Sequence, residues 1–275
     1  MKKTSVPLVI AFTPDYFIPA ATCLYSIITS MQAEGELHVI CLLSEELPER
    51  LKLKIQLIGE GRTCYSFVNL QGKLQHIYID QKYTEAASYR LLLPDLLPEY
   101  KKVIYIDCDI IVRNDLVQLY HSIDLGMNYL AAVFEASMDF QLDHLKTIGC
   151  NPNEYINSGF LIMNLELRRK DNMVEKFIEA SKVDYLEFPD QDVLNQLCKD
   201  RILALPPYYN SIRTFYLPQY KKFFLQKYTE QDWLEVHRHG TVHYTGAKPW
   251  NQFTVQFQLW WQYYEQLPEI IKKEW

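Results

Sequence analysis

Residues 103–115, VIYIDCDIIVRND, constrain this chain more than any other stretch. Val103, Ile104, Tyr105 and Ile106 form a β-branched and aromatic run that reads as a buried strand, central in a parallel sheet. The run stops abruptly at Asp107, Cys108 and Asp109. Two carboxylates at the end of a buried strand are costly unless hydrogen-bond donors or a cation meet them. If the backbone is still extended there, side chains at i and i+2 share a face. Asp107 and Asp109 then point together and Cys108 points away. Like charges that close raise each other's pKa unless a divalent ion sits between them, and hard oxygen ligands favour Mg²⁺ or Mn²⁺. In open α/β sheets ligands bind at the carboxyl ends of strands, which is where this pair falls. The triplet also occurs as solvated loop, so the strand before it and the motifs after it carry the reading.

The remaining pattern supplies that strand with neighbours. Residues 8–12 (LVIAF) read as a first strand, 13–15 as its turn and 16–31 as a helix. Residues 37–43 read as a second strand, 44–46 as the cap of a helix over 48–58, and 64–70 as a third strand. Strand–helix–strand at this rhythm predicts a parallel sheet with helices on its faces. The first turn lacks a Gly-x-Gly-x-x-Gly pattern, so a dinucleotide fingerprint is not supported. Residues 84–97 read as a helix, capped by Thr84, that Pro94 breaks or kinks. Residues 131–134 and 160–165 read as strands, with a polar loop or lid over 135–154 between them. Residues 167–181 read as one amphipathic helix. Residues 191–198 read as another, its start favoured by the acids at 190 and 192.

Composition narrows the function classes. The chain has 275 residues and 48% hydrophobic content, enough for one large α/β domain. A net charge of −6 argues against nucleic-acid binding driven by phosphate charge. Pro7, Pro14 and Asp15 interrupt a start that resembles a signal peptide only superficially. No apolar run reaches the roughly 18 residues of a membrane span. Six widely spread cysteines read as reduced thiols in a cytoplasm. Residues 252–275 mix Trp260, Trp261, Tyr263, Tyr264 and Trp275 with lysines. That mixture suits either a peripheral membrane contact at the inner face or a helix packed on the domain.

A second constellation, HYTGAKPW, spans His243 to Trp250. A neutral imidazole from His243 can complete an oxygen-rich metal site. Gly246 allows close backbone approach to a phosphate, and Lys248 supplies a point charge for it. His237 and His239 are competing ligand candidates on a stretch that reads as exposed loop.

Together, LVIAFTPDY, SYRLLLPDLLP, KVIYIDCDIIVRNDL, YINSGFLIMNL, PDQDVLN and HYTGAKPW resemble glycosyltransferase family eight, in the family's order and over nearly the whole chain. The resemblance implies an α/β, GT-A type nucleotide-diphospho-sugar transferase fold. It implies one catalytic domain over 1–250, with a nucleotide-sugar half to about 125 and an acceptor half beyond, then a helical tail over 251–275. It implies a UDP-glucose or UDP-galactose donor and Mn²⁺, or Mg²⁺, held by Asp107, Asp109 and His243. The acceptor would be a glycan, such as a lipopolysaccharide or another cell-surface glycoconjugate. By the same resemblance, Ala11, Thr13, Asp15 and Tyr16 line the nucleotide pocket, and Arg90 lies near the sugar and diphosphate. Cys108 acts through its backbone, and Asp139 is an acid near the donor sugar. Asn157 and Ser158 read sugar hydroxyls, Asp190 and Gln191 lie beneath the anomeric carbon, and Gly246 and Lys248 contact the diphosphate. Only Ala247 separates those last two, where the family often has two residues. With an amide at 191 rather than a carboxylate, transfer with retention is expected to proceed on the front face of the sugar. Two rivals remain. An aspartate-nucleophile phosphatase would need its acid pair near the first strand, and a sugar-binding protein would lack turnover.

Overall fold

The structure, a computed structural model, describes residues 5–74 and 85–275. The strands are β1 (Val6–Phe12), β2 (Leu37–Leu43), β3 (Thr63–Asn69), β4 (Lys102–Asp107), β5 (Ile110–Ile111), β6 (Leu130–Phe134), β7 (Ile156–Asn164), β8 (Ile202–Ala204), β9 (Ser211–Ile212) and β10 (Val242–His243). Seven of them form one sheet in the order β3-β2-β1-β4-β7-β6-β8. The expected central strand is indeed in the middle. It runs parallel to β1 on one side and antiparallel to β7 on the other. The sheet is therefore mainly parallel, with β7 reversed.

Alternation along the strands feeds two cores. Leu8, Ile10, Ile104 and Ile106 pack on one face, and Val9, Ala11, Val103 and Tyr105 on the other. Helices cover both faces, which is why β1 and β4 read as continuous apolar runs rather than alternating ones. The helices are α1 (Phe17–Ser30), α2 (Glu49–Ile55), α3 (Glu85–Ser88), α4 (Leu93–Leu96), α5 (Leu116–Ser122), α6 (Leu142–Thr147), α7 (Leu165–Lys170), α8 (Met173–Ala180), α9 (Pro189–Cys198), α10 (Lys221–Lys227), α11 (Glu230–His239), α12 (Phe257–Glu265) and α13 (Glu269–Lys272). Trp260 of α12 is buried in the first core and stacks on Tyr264 at 5.5 Å. No helix among the described residues is long and apolar enough to cross a membrane.

Several elements depart from the sequence reading for local reasons. The N-cap of α2 is Pro48 with no side-chain cap, so 44–46 do not cap it. The 84–97 helix is a broken series, with a 3₁₀ turn at Tyr89–Leu91 between α3 and α4. Pro94 lies in the first turn of α4, where its missing N–H satisfies no helical bond anyway; Thr84 lies outside the described residues. The 167–181 helix splits at Asn172, which takes a left-handed φ of 51°. The 135–154 segment is not a loop throughout, since it holds α6. β7 begins at Ile156, so the INSG residues lie on a strand facing β4.

Candidate active site

The chain leaves the central strand at Asp107, turns at Cys108–Asp109 and re-enters a second, three-stranded sheet at β5. In that sheet β5 pairs antiparallel with β10, setting Ile110 opposite His243, while β10 runs parallel to β9. Tyr244 N donates to Asp109 O at 3.1 Å and closes the junction. The acids therefore converge through a turn and a second sheet, not through extended i, i+2 geometry. One ligand atom each from Asp107, Asp109 and His243 lies within 4.8 Å of the other two. His243 Nε2 is 3.3 Å from Asp109 Oδ1 and 3.9 Å from Asp107 Oδ2.

This cluster fits a divalent cation. Asp109 Oδ1 is buried and accepts no hydrogen bond, a situation that costs free energy unless a cation relieves it. Two carboxylates and an imidazole are a donor set suited to Mn²⁺ or Mg²⁺. Gly159 of β7 keeps the space open, because a Cβ there would lie 2.3 Å from His243 Cε1 and 2.8 Å from Asp107 Oδ2. Burial pushes the Asp109 carboxyl up, but Lys248 and His243 beside it reverse that and hold it well below the usual carboxylate range. The Lys248 ammonium pairs with Asp109 and also donates to Tyr244 O at 2.7 Å. His237 and His239 stand on helix α11, not a loop. His237 Nδ1 bonds to Trp233 O, and His239 bonds to Asn114 and Glu235.

Arg90 ties the metal cluster to the acid of α9. Its side chain is only 3% exposed, with Nη2 2.7 Å from Asp107 Oδ1 and Nε 3.1 Å from Asp190 Oδ2. Nε also donates to Ala87 O, and Nη1 to Ser158 O and Oγ. The guanidinium lies over the Tyr105 ring at 4.4 Å, and Tyr105 Oη donates to Asp107 Oδ1 at 3.0 Å. With most of its N–H groups spent on protein acceptors, Arg90 holds two acids in place at the wall of the cavity.

On the far side of Arg90, Gln191 Oε1 accepts from Ser158 N at 3.0 Å and Asn157 Nδ2 at 3.2 Å. Gln191 Nε2 donates to Glu135 Oε1 at 3.3 Å. Glu135 is buried, which pushes its carboxyl above the usual range, opposed by bonds from Asn157, Gln141 and Gln191. The Asp190 carboxyl is likewise pushed up by burial, opposed by Arg90.

These groups line one cavity of about 580 Å³, within the range of small-molecule sites. Of the residues predicted from sequence, it brings together Ala11, Thr13, Tyr16, Arg90, Asp107, Cys108, Asp109, Asn157, Ser158, Asp190, Gln191, His243, Gly246 and Lys248. The register Ala11↔Asp107 between β1 and β4 sets the first turn beside the acid pair. Cys108 is among the lining residues and also packs against the first core. Asp15 and Asp139 are exposed and are not among the lining residues. Asp139 opens a 3₁₀ turn after β6 has ended, and the acid that faces the cavity is Glu135, at the strand's own end. Sequence reasoning missed Glu135, Tyr105, Gly159 and Asn210. Only Glu135 carried a signal, an acid directly after an apolar strand.

A mainly parallel sheet flanked by helices, with an acid pair where the central strand ends, is the GT-A glycosyltransferase architecture. Residues 7–254 match the model of Glycosyl transferase family 8, and the chain belongs to that family. It is 27% identical over 263 residues to General stress protein A of Bacillus subtilis (strain 168), covering 92% of this chain and 91% of that one. It is 30% identical over 192 residues to the lipopolysaccharide 1,2-glucosyltransferase of Escherichia coli (strain K12), covering 66% of this chain but 54% of that protein. The galactosyltransferase LgtC, solved with donor and acceptor sugar analogues, superposes with a TM-score of 0.78 at 22% identity. That superposition covers 98% of this chain and all of LgtC, and it shows a shared fold.

Proposed function

We propose that the protein moves a hexose, glucose or galactose, from a UDP-sugar to a hydroxyl of a glycan, with retention at the anomeric carbon. The acceptor we favour is a cell-surface saccharide such as lipopolysaccharide, as the name of the Escherichia coli relative suggests. That reading places the enzyme in the cytoplasm, peripheral to the inner face of the membrane. The observation that carries the proposal is the joining, in one cavity, of the first turn, the acid pair with His243, and the Asp190–Gln191 pair.

Asp107, Asp109 and His243 would hold Mn²⁺ or Mg²⁺. Bound there, the cation supplies positive charge that neutralises a diphosphate and the negative charge growing on departing UDP. Lys248 adds a second positive charge on the other side of Asp109. A Cβ on Gly246 would meet nothing within 4 Å, so its backbone faces open space suited to a phosphate. Ala11, Thr13 and Tyr16 line the end expected to take the base and ribose. Tyr16 is braced edge-on against Trp250 at 5.9 Å, which orients the ring.

Retention by double displacement needs an ionised carboxylate free to attack carbon. Each lining acid on the far side of Arg90 is already engaged. Asp190 Oδ2 takes Arg90 and the Ser158 hydroxyl. Glu135 accepts from three amides, so both of its oxygens are already engaged. Gln191 is an amide. We therefore favour front-face substitution, with a leaving phosphate oxygen accepting the acceptor's proton. Asp190 and Gln191, fixed by their hydrogen bonds, would present a preorganised polar face to the developing oxocarbenium ion. The test is UDP release from a panel of UDP-hexoses with and without Mn²⁺, followed by assignment of the product's anomeric configuration. An inverted product, or a sugar trapped on Glu135 or Asp190, would overturn the mechanism. Metal-dependent UDP release that no glycan stimulates would favour a hydrolase instead.

A further inference from the structure

A second, smaller pocket of about 150 Å³ adjoins the main cavity and shares Glu135 and Ala136 with it as a common wall. Its far side is the Phe223–Gln226–Lys227 face of α10. Phe140, next in sequence to Asp139 of the small pocket, lines the main cavity and is 76% exposed. Flat apolar rings that remain exposed beside a hydroxyl-rich site offer a face for the C–H groups of a pyranose. The small pocket's own chemistry is also that of a sugar site. Asp139 and Gln226 line it, and neither side chain makes a hydrogen bond among the described residues. The Lys227 ammonium is already committed to Asn153 O and lies 4.4 Å from the centre of the Phe134 ring.

We propose that this pocket is a second acceptor subsite, resting on the transferase reading above. It holds the monosaccharide unit next to the one being glycosylated, while Phe140 stacks against the chain between them. Its occupant is neutral. Two carboxylates, Glu135 and Asp139, face one ammonium that is already spent, so a phosphate or uronic acid would enter against net negative charge. A pocket of this volume takes one ring, not a nucleotide.

The experiment measures transfer by the full chain from its UDP-hexose to monosaccharide and disaccharide glycosides, neutral and phosphorylated. Wild type is expected to use a neutral disaccharide about tenfold better, by kcat/KM, than the matching monosaccharide, and to disfavour the phosphorylated form. Gln226→Ala removes a polar wall from an exposed helical position, and Gln226→Trp fills the pocket. Both should abolish the disaccharide advantage while leaving monosaccharide transfer and the donor KM unaltered. Phe140→Ala should raise acceptor KM for both lengths. An unaltered disaccharide-to-monosaccharide ratio in both Gln226 variants would overturn the subsite. So would equal use of both lengths by wild type, a preference for the phosphorylated form, or UDP-hexose hydrolysis with no transfer to any neutral glycoside. Absence of both transfer and hydrolysis with every UDP-hexose would instead overturn the transferase reading on which the subsite rests.

Discussion

Asn210 Oδ1 lies 3.0 Å from His243 Nδ1, and the direction of that bond is fixed from the backbone outward. Gly159 N donates to Asn157 Oδ1, which also receives Asn210 Nδ2 at 2.9 Å. Asn210 must therefore turn its oxygen toward His243, so Nδ1 carries the proton. The Nε2 lone pair is left facing Asp107 and Asp109. A partner that sets a ligand's tautomer and ring orientation changes metal affinity about 10- to 100-fold when removed. Asn210→Ala is expected to weaken Mn²⁺ binding by that factor, read by calorimetry without substrate. Asn210→Asp, which keeps the acceptor, should weaken it less. Equal affinity in wild type and Asn210→Ala would refute the role.

Gly159 gives a second, steric test of the same cluster. A methyl group there would meet the His243 ring and the Asp107 carboxylate, neither of which can retreat cheaply from a β7 position with 0–7% exposure around it. Gly159→Ala should abolish metal binding and metal-dependent turnover while the far-ultraviolet dichroism stays that of wild type. Undiminished Mn²⁺ affinity would show that the cation sits elsewhere.

The same two residues show why the site was only partly legible in sequence. The acid pair was readable because carboxylates directly after an apolar strand are a local pattern, whereas the Asp190–Gln191 pair was reached through the resemblance of PDQDVLN to the family's motif and His243 through HYTGAKPW. Asn210 and Gly159 act through partners far away in the chain, brought near by the β9–β10–β5 pairing and by the reversed β7. No spacing rule encodes those contacts. Asp139 was misplaced because the end of β6 sets which acid faces inward, and a strand's last residue is not fixed by composition. The strands themselves were legible because burial on both faces leaves continuous apolar runs. The broken helices over 85–96 and 165–180 were not, because their breaks depend on tertiary packing and one left-handed residue.

Arg90 is the main structural risk in the site. Removing one partner of a buried ion pair leaves uncompensated charge and costs about 3–5 kcal/mol. Arg90→Met would leave Asp107 and Asp190 without the buried guanidinium that bridges them at 2.7 and 3.1 Å. Urea denaturation should show a loss of that size, and Arg90→Lys should recover only part of it because a single ammonium cannot serve Asp107, Asp190 and Ser158 at once. A loss below about 1 kcal/mol in Arg90→Met would contradict the bridging role.

Asp115 offers a prediction outside the catalytic chemistry, with its sign set by hydrogen bonding. Oδ1 caps α5 by accepting from Val117 N at 2.9 Å and Gln118 N at 3.0 Å. Oδ2 accepts from Gln32 N at 2.7 Å and Ala33 N at 2.6 Å, pinning the end of α1 to the strand region that carries the acid pair. Burial pushes this carboxyl up, but the four N–H donors outweigh it and the folded pKa lies below the ordinary value. Such a group stabilises the fold above its unfolded pKa, about 3.9, and that contribution is lost as pH falls through the depressed folded value. Asp115→Ala should therefore cost about 2 kcal/mol at pH 7, the upper end for an N-cap loss. The gap between variant and wild type should narrow as pH falls below about 4. Urea titrations of both proteins across pH 3 to 7 decide it, and a gap independent of pH would show that the ionised form contributes nothing beyond shape.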